Sequence, residues 1–144
     1  MYSVIQKRYS LQTSGRGFYA ITERTREWIA EAGIRTGTCH LFLQHTSASL
    51  VLCENAAPEV RHDLELLIQR IAPDGDPQYQ HNDEGPDDMA AHFRTILSGY
   101  ELTIPVTNGK PALGTWQGVY LWEHRAWPHT RNIIMTVQGL FDER

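Results

Sequence analysis

The stretch of sequence that decides the fold is TCHLFLQHTSASLVLCE, at residues 38–54. Apolar and polar side chains alternate along much of it, a pattern that is typical of half-buried β-strands. An ordinary strand holds about 5–6 residues, so we expect a break near Thr46 and two strands. Before the break, side-chain alternation places four residues on one face: Cys39, Leu41, Leu43 and His45. His45 therefore ends an apolar row.

Strand patterns also occur on both sides of this stretch. We expect strands at residues 2–11, 18–21, 101–106 and 132–139, and in a segment that ends at Arg125. The Asn108-Gly109 pair is a strong hairpin signal. It is therefore expected to join the strand at residues 101–106 to the segment that ends at Arg125.

Three amphipathic segments predict helices. The first covers residues 22–32, with Thr22 as its cap and Gly33 as its end, and the second lies between Asn55 and Pro73. The third covers about residues 86–97, with an apolar stripe expected to face the core: Met89, Phe93 and Ile96. This order of elements predicts an α+β fold, in which a mixed β-sheet packs against about three helices.

Length and composition limit the class of protein. The chain has 144 residues, which suits one domain covering residues 1–144. Its 13 lysines and arginines against 17 acidic residues give a net charge of −4, which argues against a nucleic-acid partner. No apolar run approaches the roughly 18 residues of a membrane helix. Cys39 and Cys53 lie in apolar runs and are expected to be reduced, so we expect a soluble, cytoplasmic protein with no membrane partner.

Residues 79–92, YQHNDEGPDDMAAH, bring two of the chain's seven histidines and four carboxylates to the start of a helix. His81 from the loop and His92 from the helix can converge on one ion, and imidazole suits Zn²⁺. Asp88 and His92 are four residues apart, close enough for the carboxylate to orient the ring. The alternative is that the carboxylates only favour the helix N-terminus, while His81 is a loop residue and His92 a hydrogen-bonded residue at the core edge.

His45 needs a partner if it is buried at the end of its strand row. A metal shared with His81 and His92 would supply one. The alternative is a hydrogen bond from Thr46 or Ser47, which gives an ordinary buried histidine. A nucleophilic Ser47 activated by His45 is disfavoured, because no glycine-framed turn surrounds the serine.

Residues 114–125, GTWQGVYLWEHR, carry further candidate groups. Alternation puts Gln117 and Glu123 on one strand face and His124 on the other. Glu123 and His124 therefore cannot both contact one site unless a bulge turns one of them. Arg125 and Arg131 lie on either side of a turn and could together hold a phosphate, although exposed salt bridges are the commoner use of arginine.

Three stretches taken together resemble the YjbQ family, the secondary thiamine-phosphate synthase enzymes. They are His45-Thr46-Ser47-Ala48-Ser49-Leu50 with Glu54-Asn55, residues 81–92, and Leu113-Gly114-Thr115-Trp116-Gln117-Gly118 with Glu123-His124-Arg125. The resemblance covers about residues 39–139. Two positions depart from the family pattern, since Ala90 replaces a usual proline and Ala57 replaces a usual aspartate.

The resemblance implies a YjbQ-like homotrimer with a histidine-rich metal site. It implies His45, His81 and His92 as the metal ligands, surrounded by further polar residues: Asp87, Asp88, Gln117, Glu123, His124 and Arg125. The implied activity is a weak thiamine-phosphate synthase reaction, which joins a pyrimidine diphosphate to a thiazole phosphate and releases pyrophosphate. A reaction of this kind usually needs Mg²⁺, whereas three histidines favour Zn²⁺.

Three hypotheses follow for the function. The first is a trimeric metal-dependent transferase acting on a small phosphorylated heterocycle. Its expected catalytic residues are Asp87, Glu123, His124 and Gln117, and its expected substrate-binding residues are Arg125, Arg131 and Asp88. The second is a zinc hydrolase of a small phosphorylated or cyclic substrate, in which the same metal activates water. The third is a module that binds metal or ligand without catalysis.

Overall fold

The computed structural model describes residues 1–141, which form eight strands and three helices. In chain order they are β1 (Tyr2–Gln12), β2 (Gly17–Ala20), α1 (Thr22–Ala32), β3 (Ile34–Leu43), β4 (Ala48–Glu54), α2 (Pro58–Ile71), α3 (Asp88–Ser98), β5 (Glu101–Thr107), β6 (Lys110–Pro111), β7 (Gln117–Glu123) and β8 (Thr130–Phe141). The α+β class and the three helices are confirmed, and the expected break between the strands of residues 38–54 lies at residues 44–47.

The strands form two sheets, and every strand pair in them is antiparallel. The five-stranded sheet has the order β1-β8-β3-β5-β6, and the three-stranded sheet has the order β2-β7-β4. The expected mixed sheet is thus resolved into two antiparallel ones. The reason lies in the helices: α1 connects β2 to β3, and α2 with α3 connects β4 to β5, so each helical connection leads from one sheet to the other. None of them returns the chain to a parallel neighbour.

The core contains side chains from both sheets and from α1. The predicted row on β3 is confirmed, because Cys39, Leu41 and Leu43 are all buried. The strand ends at Leu43, so the alternation of faces does not continue to His45, which is exposed. The end of the strand, and not its pattern, therefore decides where this histidine lies.

The first helix agrees closely with its prediction. It covers Thr22–Ala32, and Gly33 ends it in a left-handed conformation with φ 74°. Its start differs in one respect, since the Thr22 hydroxyl accepts a hydrogen bond from the backbone N–H of Val119 at 2.9 Å instead of capping the helix. Among residues 1–141, the structure has no helix with the length and apolar character that crossing a membrane requires.

The hairpin at Asn108-Gly109 forms, but its second arm is short. Both turn residues have positive φ, 54° and 76°, as the tightest two-residue hairpins require. β6 then holds only two residues before the chain crosses to the other sheet and forms β7. The prediction that the hairpin joins the strand at 101–106 to the segment ending at Arg125 is therefore wrong.

The third helix begins at Asp88, and its buried face differs from the predicted one. Phe93 and Ile96 were expected in the core, yet they are 43% and 76% exposed. The helix packs against β4, and its buried residues are Asp88, Ala90, Ala91, Arg94 and Thr95. Small alanine side chains allow a close approach, and the buried guanidinium of Arg94 is satisfied because it donates to the Ala72 carbonyl at 2.9 Å.

Candidate metal centre

Two histidines and one aspartate converge at the start of α3. Potential ligand atoms of His81, Asp88 and His92 all lie within 4.8 Å of one another. The Asp88 Oδ2 atom is 2.7 Å from His81 Nε2 and 3.4 Å from His92 Nε2. The structure thus brings together two of the three expected metal ligands, and it places between them the aspartate that was expected to bind substrate.

Short-range chain geometry builds this cluster. Asp88 is the first residue of α3, and His92 follows it by one helical turn, so both project on the same side. His81 comes from the loop before the helix, and its ring centroid lies 5.2 Å from that of His92. Asp88 is buried, whereas both histidines are partly accessible at the edge of the molecule.

Arg125 fixes the carboxylates behind the cluster. Its Nη1 lies 2.9 Å from Asp88 Oδ1, so the other oxygen of Asp88 is left to face the histidines. Its Nε donates to Asp87 Oδ2 at 2.9 Å, and its Nη2 donates to the Glu84 carbonyl at 2.9 Å. All three nitrogen atoms are engaged, so the structure shows Arg125 as a support for the cluster and not as a free phosphate ligand.

Asp87 is held as a carboxylate. Burial alone would raise its pKa, but hydrogen bonds from the Ala126 backbone and from Arg125 outweigh burial and lower the pKa below the usual value. The Ala126 N–H donates to Asp87 Oδ2 at 2.8 Å. A carboxyl group with these partners stays ionised at neutral pH and is a weak base, and the proton transfer expected of Asp87 stays a prediction.

The donor set of the cluster fits a zinc ion. Ligand atoms about 2.1 Å from a tetrahedral zinc ion lie about 3.4 Å from one another. The distance from Asp88 to His92 already has this value, and the shorter distance from Asp88 to His81 needs a small opening of the loop. Two histidines and one carboxylate also leave the fourth position open, as catalytic zinc sites do. These three residues could therefore hold a zinc ion and leave one of its positions free.

His45 lies outside this cluster but shares a cavity with it. The cavity has a volume of about 540 Å³ and its walls are mostly apolar. Its lining comprises Phe42, Leu43, Gln44, His45, Thr46, His92, Thr95, Ile96 and Tyr100. Partial burial of the ring, together with the positive charge of Arg131 and the nearby His129, lowers the pKa of His45, so its ring is neutral at neutral pH. The expected set of three histidine ligands is thus divided between the cluster and the cavity wall.

Glu123 and Arg131 form a fully buried ion pair. Arg131 donates from Nε to Glu123 Oε1 at 2.8 Å and from Nη2 to Oε2, and Thr13 donates to Oε1 at 2.7 Å. Burial would raise the pKa of Glu123, but these hydrogen bonds from Arg131 and Thr13 lower it overall. Arg131 is 0% exposed and already paired, so the expected phosphate clamp of Arg125 and Arg131 is not what the structure shows.

His124 lies on the opposite face of the chain from Glu123, as alternation predicted. Both residues are buried, because both faces of β7 are covered. His124 Nε2 is 2.8 Å from Ser49 Oγ, and burial with the charges of Arg94 and Arg16 lowers the pKa of His124 to about 3. The structure therefore places a neutral, fully buried imidazole at His124.

Gln117, the remaining expected catalytic residue, lies at the far end of β7. Its side-chain oxygen accepts a hydrogen bond from the Gly114 N–H at 2.8 Å, which shapes a local turn. Glu123 lies six positions further along the chain, and at about 3.3 Å per residue the two are about 20 Å apart along the strand. Within one chain, Gln117 therefore does not join the residues around Arg125.

The sequence analysis did not predict Asp88 as a metal ligand, and it did not name Thr13 or Arg94 as hydrogen-bond partners of buried groups. The spacing of Asp88 and His92 was visible, and it could have indicated a shared ligand role as readily as a supporting one. Thr13 and Arg94 gave no local signal, because their partners lie far away in the sequence. Thr13 is 110 residues from Glu123, and Arg94 is 29 residues from Glu65.

Comparisons with known proteins identify the family of this chain. A family model described as UPF0047 protein YjbQ-like matches residues 7–140. The chain belongs to the YjbQ family. That match includes the whole histidine and aspartate cluster, the cavity with His45, and the buried Arg125 and Arg131.

Several YjbQ-family relatives are similar over nearly their full length. The YjbQ protein of Escherichia coli O157:H7 is 44% identical over 135 residues, which cover 93% of this chain and 97% of the relative. A UPF0047 protein of Synechocystis is 42% identical over 129 residues, covering 90% and 88% of the two chains.

Solved structures of YjbQ-like proteins have the same fold. A YjbQ/UPF0047 family protein of Clostridium acetobutylicum has a TM-score of 0.84 and is 33% identical, covering 91% of this chain and 98% of its own. A YjbQ-like protein of Sulfolobus solfataricus has a TM-score of 0.89 at 24% identity, covering 97% and 100%. The α+β fold is therefore a property of the family.

Proposed function

We propose that this YjbQ-family protein is a metal-dependent hydrolase that uses zinc to activate water against a small, mainly apolar cyclic or ester substrate. The observation that carries this proposal is the cluster of His81, Asp88 and His92 at the edge of an apolar cavity. His92 belongs to both features. A substrate in the cavity would therefore lie beside the metal.

Different residues of the chain have different roles in this proposal. His81, Asp88 and His92 would hold the ion, and a bound zinc ion supplies Lewis-acid activation of water near neutral pH. Arg125 keeps Asp88 oriented and ionised. Apolar side chains of the cavity wall, such as Ile96, would bind the substrate body and exclude excess water.

The synthase reaction implied by the family resemblance has less support from the charges around the cavity. Pyrophosphate release calls for cationic residues and Mg²⁺ at the leaving group. Among the described residues that line the cavity, none is a lysine or arginine. Arg125 and Arg131 are both engaged with carboxylates. A hydrolase of a substrate with little negative charge suits these surroundings better than a transferase of two phosphorylated substrates.

The first experiment measures metal binding and turnover together. The chain is stripped with a chelator and titrated with Zn²⁺ by calorimetry, then assayed with 4-nitrophenyl acetate and 4-nitrophenyl phosphate. We expect one zinc ion per chain and zinc-dependent hydrolysis of the acetate ester. His81→Ala and His92→Ala should weaken zinc binding by at least roughly 10-fold, since each removes one of three ligands.

His62→Ala is the matched control, because His62 is exposed and outside the cavity. It should bind zinc and hydrolyse the ester as the unmodified chain does. Failure of the unmodified chain to bind zinc would overturn the proposal. Zinc binding without hydrolysis of either probe would favour the module that binds metal without catalysis, and faster turnover of the phosphate ester would favour a phosphorylated substrate.

We also propose that the protein is a cytoplasmic homotrimer. Both cysteines are free thiols in the structure, which supports a reducing compartment. Several apolar side chains of α2 and α3 are exposed on the single chain, which supports association through these helices. They are Leu67, Ile71, Phe93 and Leu97.

A further inference from the structure

The hydrogen bonds of His45 determine which of its ring nitrogens carries a proton. Its Nδ1 accepts a hydrogen bond from the backbone N–H of Ser47 at 3.3 Å, and the Ser47 hydroxyl lies 3.1 Å from the same nitrogen. A backbone N–H is always a donor, so Nδ1 carries no proton in this arrangement. A neutral imidazole has one N–H, which is therefore at Nε2.

Ser47 is held in place by the buried ion pair behind it. The Arg131 Nη2 atom donates to the Ser47 hydroxyl oxygen at 2.9 Å and to the Ser47 carbonyl at 3.2 Å. Because the hydroxyl oxygen accepts from Arg131, its own proton is available to His45 Nδ1. Glu123 fixes Arg131 in turn, and all three of these residues are buried. A rigid chain of hydrogen bonds therefore maintains the Nε2–H form of His45.

This form of the ring does not suit metal ligation from the cavity side. A metal binds an imidazole nitrogen that has no proton, so ligation through Nε2 would require a proton on Nδ1, against the two groups of Ser47. Partial burial and the charge of Arg131 lower the pKa of His45, which keeps the ring neutral with a single N–H. The ring lines the same cavity as His92, with its Nδ1 edge occupied by Ser47.

We propose that His45 is a hydrogen-bond donor to the substrate, which stabilises the oxygen that gains negative charge when water attacks, and that it is not a metal ligand. This role rests on the proposed hydrolase function. In ester hydrolysis, a bond forms between the water oxygen and the carbonyl carbon, and the carbonyl electron pair moves to its oxygen. That pair returns as the bond to the leaving alkoxide breaks, and the protons of water pass to solvent. His45 keeps its own proton throughout, so it acts as a fixed dipole.

The protonation of the ring can be measured without any substrate. Long-range proton–nitrogen NMR of the ¹⁵N-histidine-labelled chain distinguishes an Nε2–H ring from an Nδ1–H ring. We expect His45 to show Nε2–H both without metal and after addition of Zn²⁺, while the signals of His81 and His92 shift on zinc binding. Loss of the Nε2 proton of His45 in the zinc-loaded chain would overturn the proposal, since it would make His45 a ligand.

Substitutions test the catalytic role with 4-nitrophenyl acetate as the probe. Its leaving group needs no proton, so the rate does not depend on a group that protonates the leaving oxygen. His45→Ala should lower kcat by roughly 10²-fold, the usual effect of removing one such donor, with KM and the zinc affinity nearly unchanged. His45→Gln retains a side-chain N–H donor and should recover part of the rate. His62→Ala should behave as the unmodified chain.

The outcomes separate this inference from the proposed function. A loss of zinc affinity in His45→Ala, or an unchanged kcat, would overturn the donor role. If the unmodified chain binds zinc but hydrolyses no ester, the proposed function fails and the catalytic role of His45 fails with it. The NMR and zinc-affinity measurements would still decide whether His45 is a metal ligand.

Discussion

At Arg125, one guanidinium group bonds two neighbouring carboxylates and one carbonyl oxygen. Two buried carboxylates side by side repel each other. The positive charge and the hydrogen bonds of the Arg125 guanidinium compensate for this repulsion. Breaking such a buried pair typically costs about 3–5 kcal/mol, because a charge is left without compensation. The position of Asp88 in the cluster therefore depends on a residue 37 positions further along the chain.

His124 makes the stability of the protein dependent on pH. Its pKa is about 3 in the folded chain, whereas an unfolded histidine titrates near about 6.5. Below pH 6.5 the unfolded chain binds a proton that the folded chain does not. The free energy of unfolding should therefore fall with decreasing pH, by up to about 1.4 kcal/mol per pH unit from this residue.

Urea unfolding at several pH values between 6.5 and 5 checks this prediction. His124→Gln removes the titrating group and should give a shallower decrease of the free energy of unfolding over that range. His62→Gln, which changes an exposed histidine, should keep the slope of the unmodified chain. Equal slopes for His124→Gln and the unmodified chain would show that His124 does not carry the effect.

Residues close in sequence were predictable as a site, and residues joined by the fold were not. His81, Asp88 and His92 lie within 12 positions of one another, so loop and helix geometry alone brings them together. His45 depends on Ser47, which depends on Arg131, 84 positions away. No local sequence pattern indicates the contact between Ser47 and Arg131. Without that contact, nothing in the sequence distinguishes His45 from a metal ligand.

At the scale of elements, β3 and β8 approach each other unusually closely at Gly37 and Gly139. These residues are cross-strand partners, and Gly139 has φ 149°, a conformation that side-chain-bearing residues rarely adopt. A Cβ atom on Gly37 would lie 1.9 Å from the Gln138 carbonyl oxygen. Gly37→Ala should therefore destabilise the protein by about 1–3 kcal/mol or more, since the strands must separate to admit the methyl group.

Chemical denaturation of Gly37→Ala beside Gly114→Ala tests this close approach. At Gly114 a Cβ atom would meet the Gln117 side chain at 3.4 Å, an ordinary contact, and its φ is not positive. That control should change the free energy of unfolding by no more than about 0.5 kcal/mol. A loss for Gly37→Ala no larger than that of the control would contradict the close strand packing.

The helices show where sequence patterns predict elements and where they fail. α1 was predicted with its bounds, because a single apolar stripe faces the core. On α3 the largest apolar residues, Phe93 and Ile96, lie outside the core, and small residues lie inside. A stripe of large apolar side chains indicates a helix face that packs against other apolar groups. It does not indicate whether those groups belong to the core of the same chain or to another subunit.

At the scale of the whole molecule, the uncovered face of α3 should hold the subunits together. Leu97→Arg places a charge on this exposed apolar surface and should convert the proposed trimer to monomers, as burying an unpaired charge is costly. Light scattering coupled to gel filtration gives the mass. Glu27→Arg on α1 makes a charge change at an exposed polar position and should leave the mass unaltered. A trimeric Leu97→Arg, or a monomeric unmodified chain, would contradict this interface.

The place of β8 in the five-stranded sheet has a consequence for synthesis. β8 lies between β1 and β3, although it is the last strand in the sequence. During translation β1 has no partner until residues 130–141 have left the ribosome. The five-stranded sheet therefore cannot join β1 to β3 through β8 before then. Long-range pairing of this kind slows folding and leaves strand edges open. The nascent chain should therefore depend on chaperone protection of β1 and β3 more than its small size suggests.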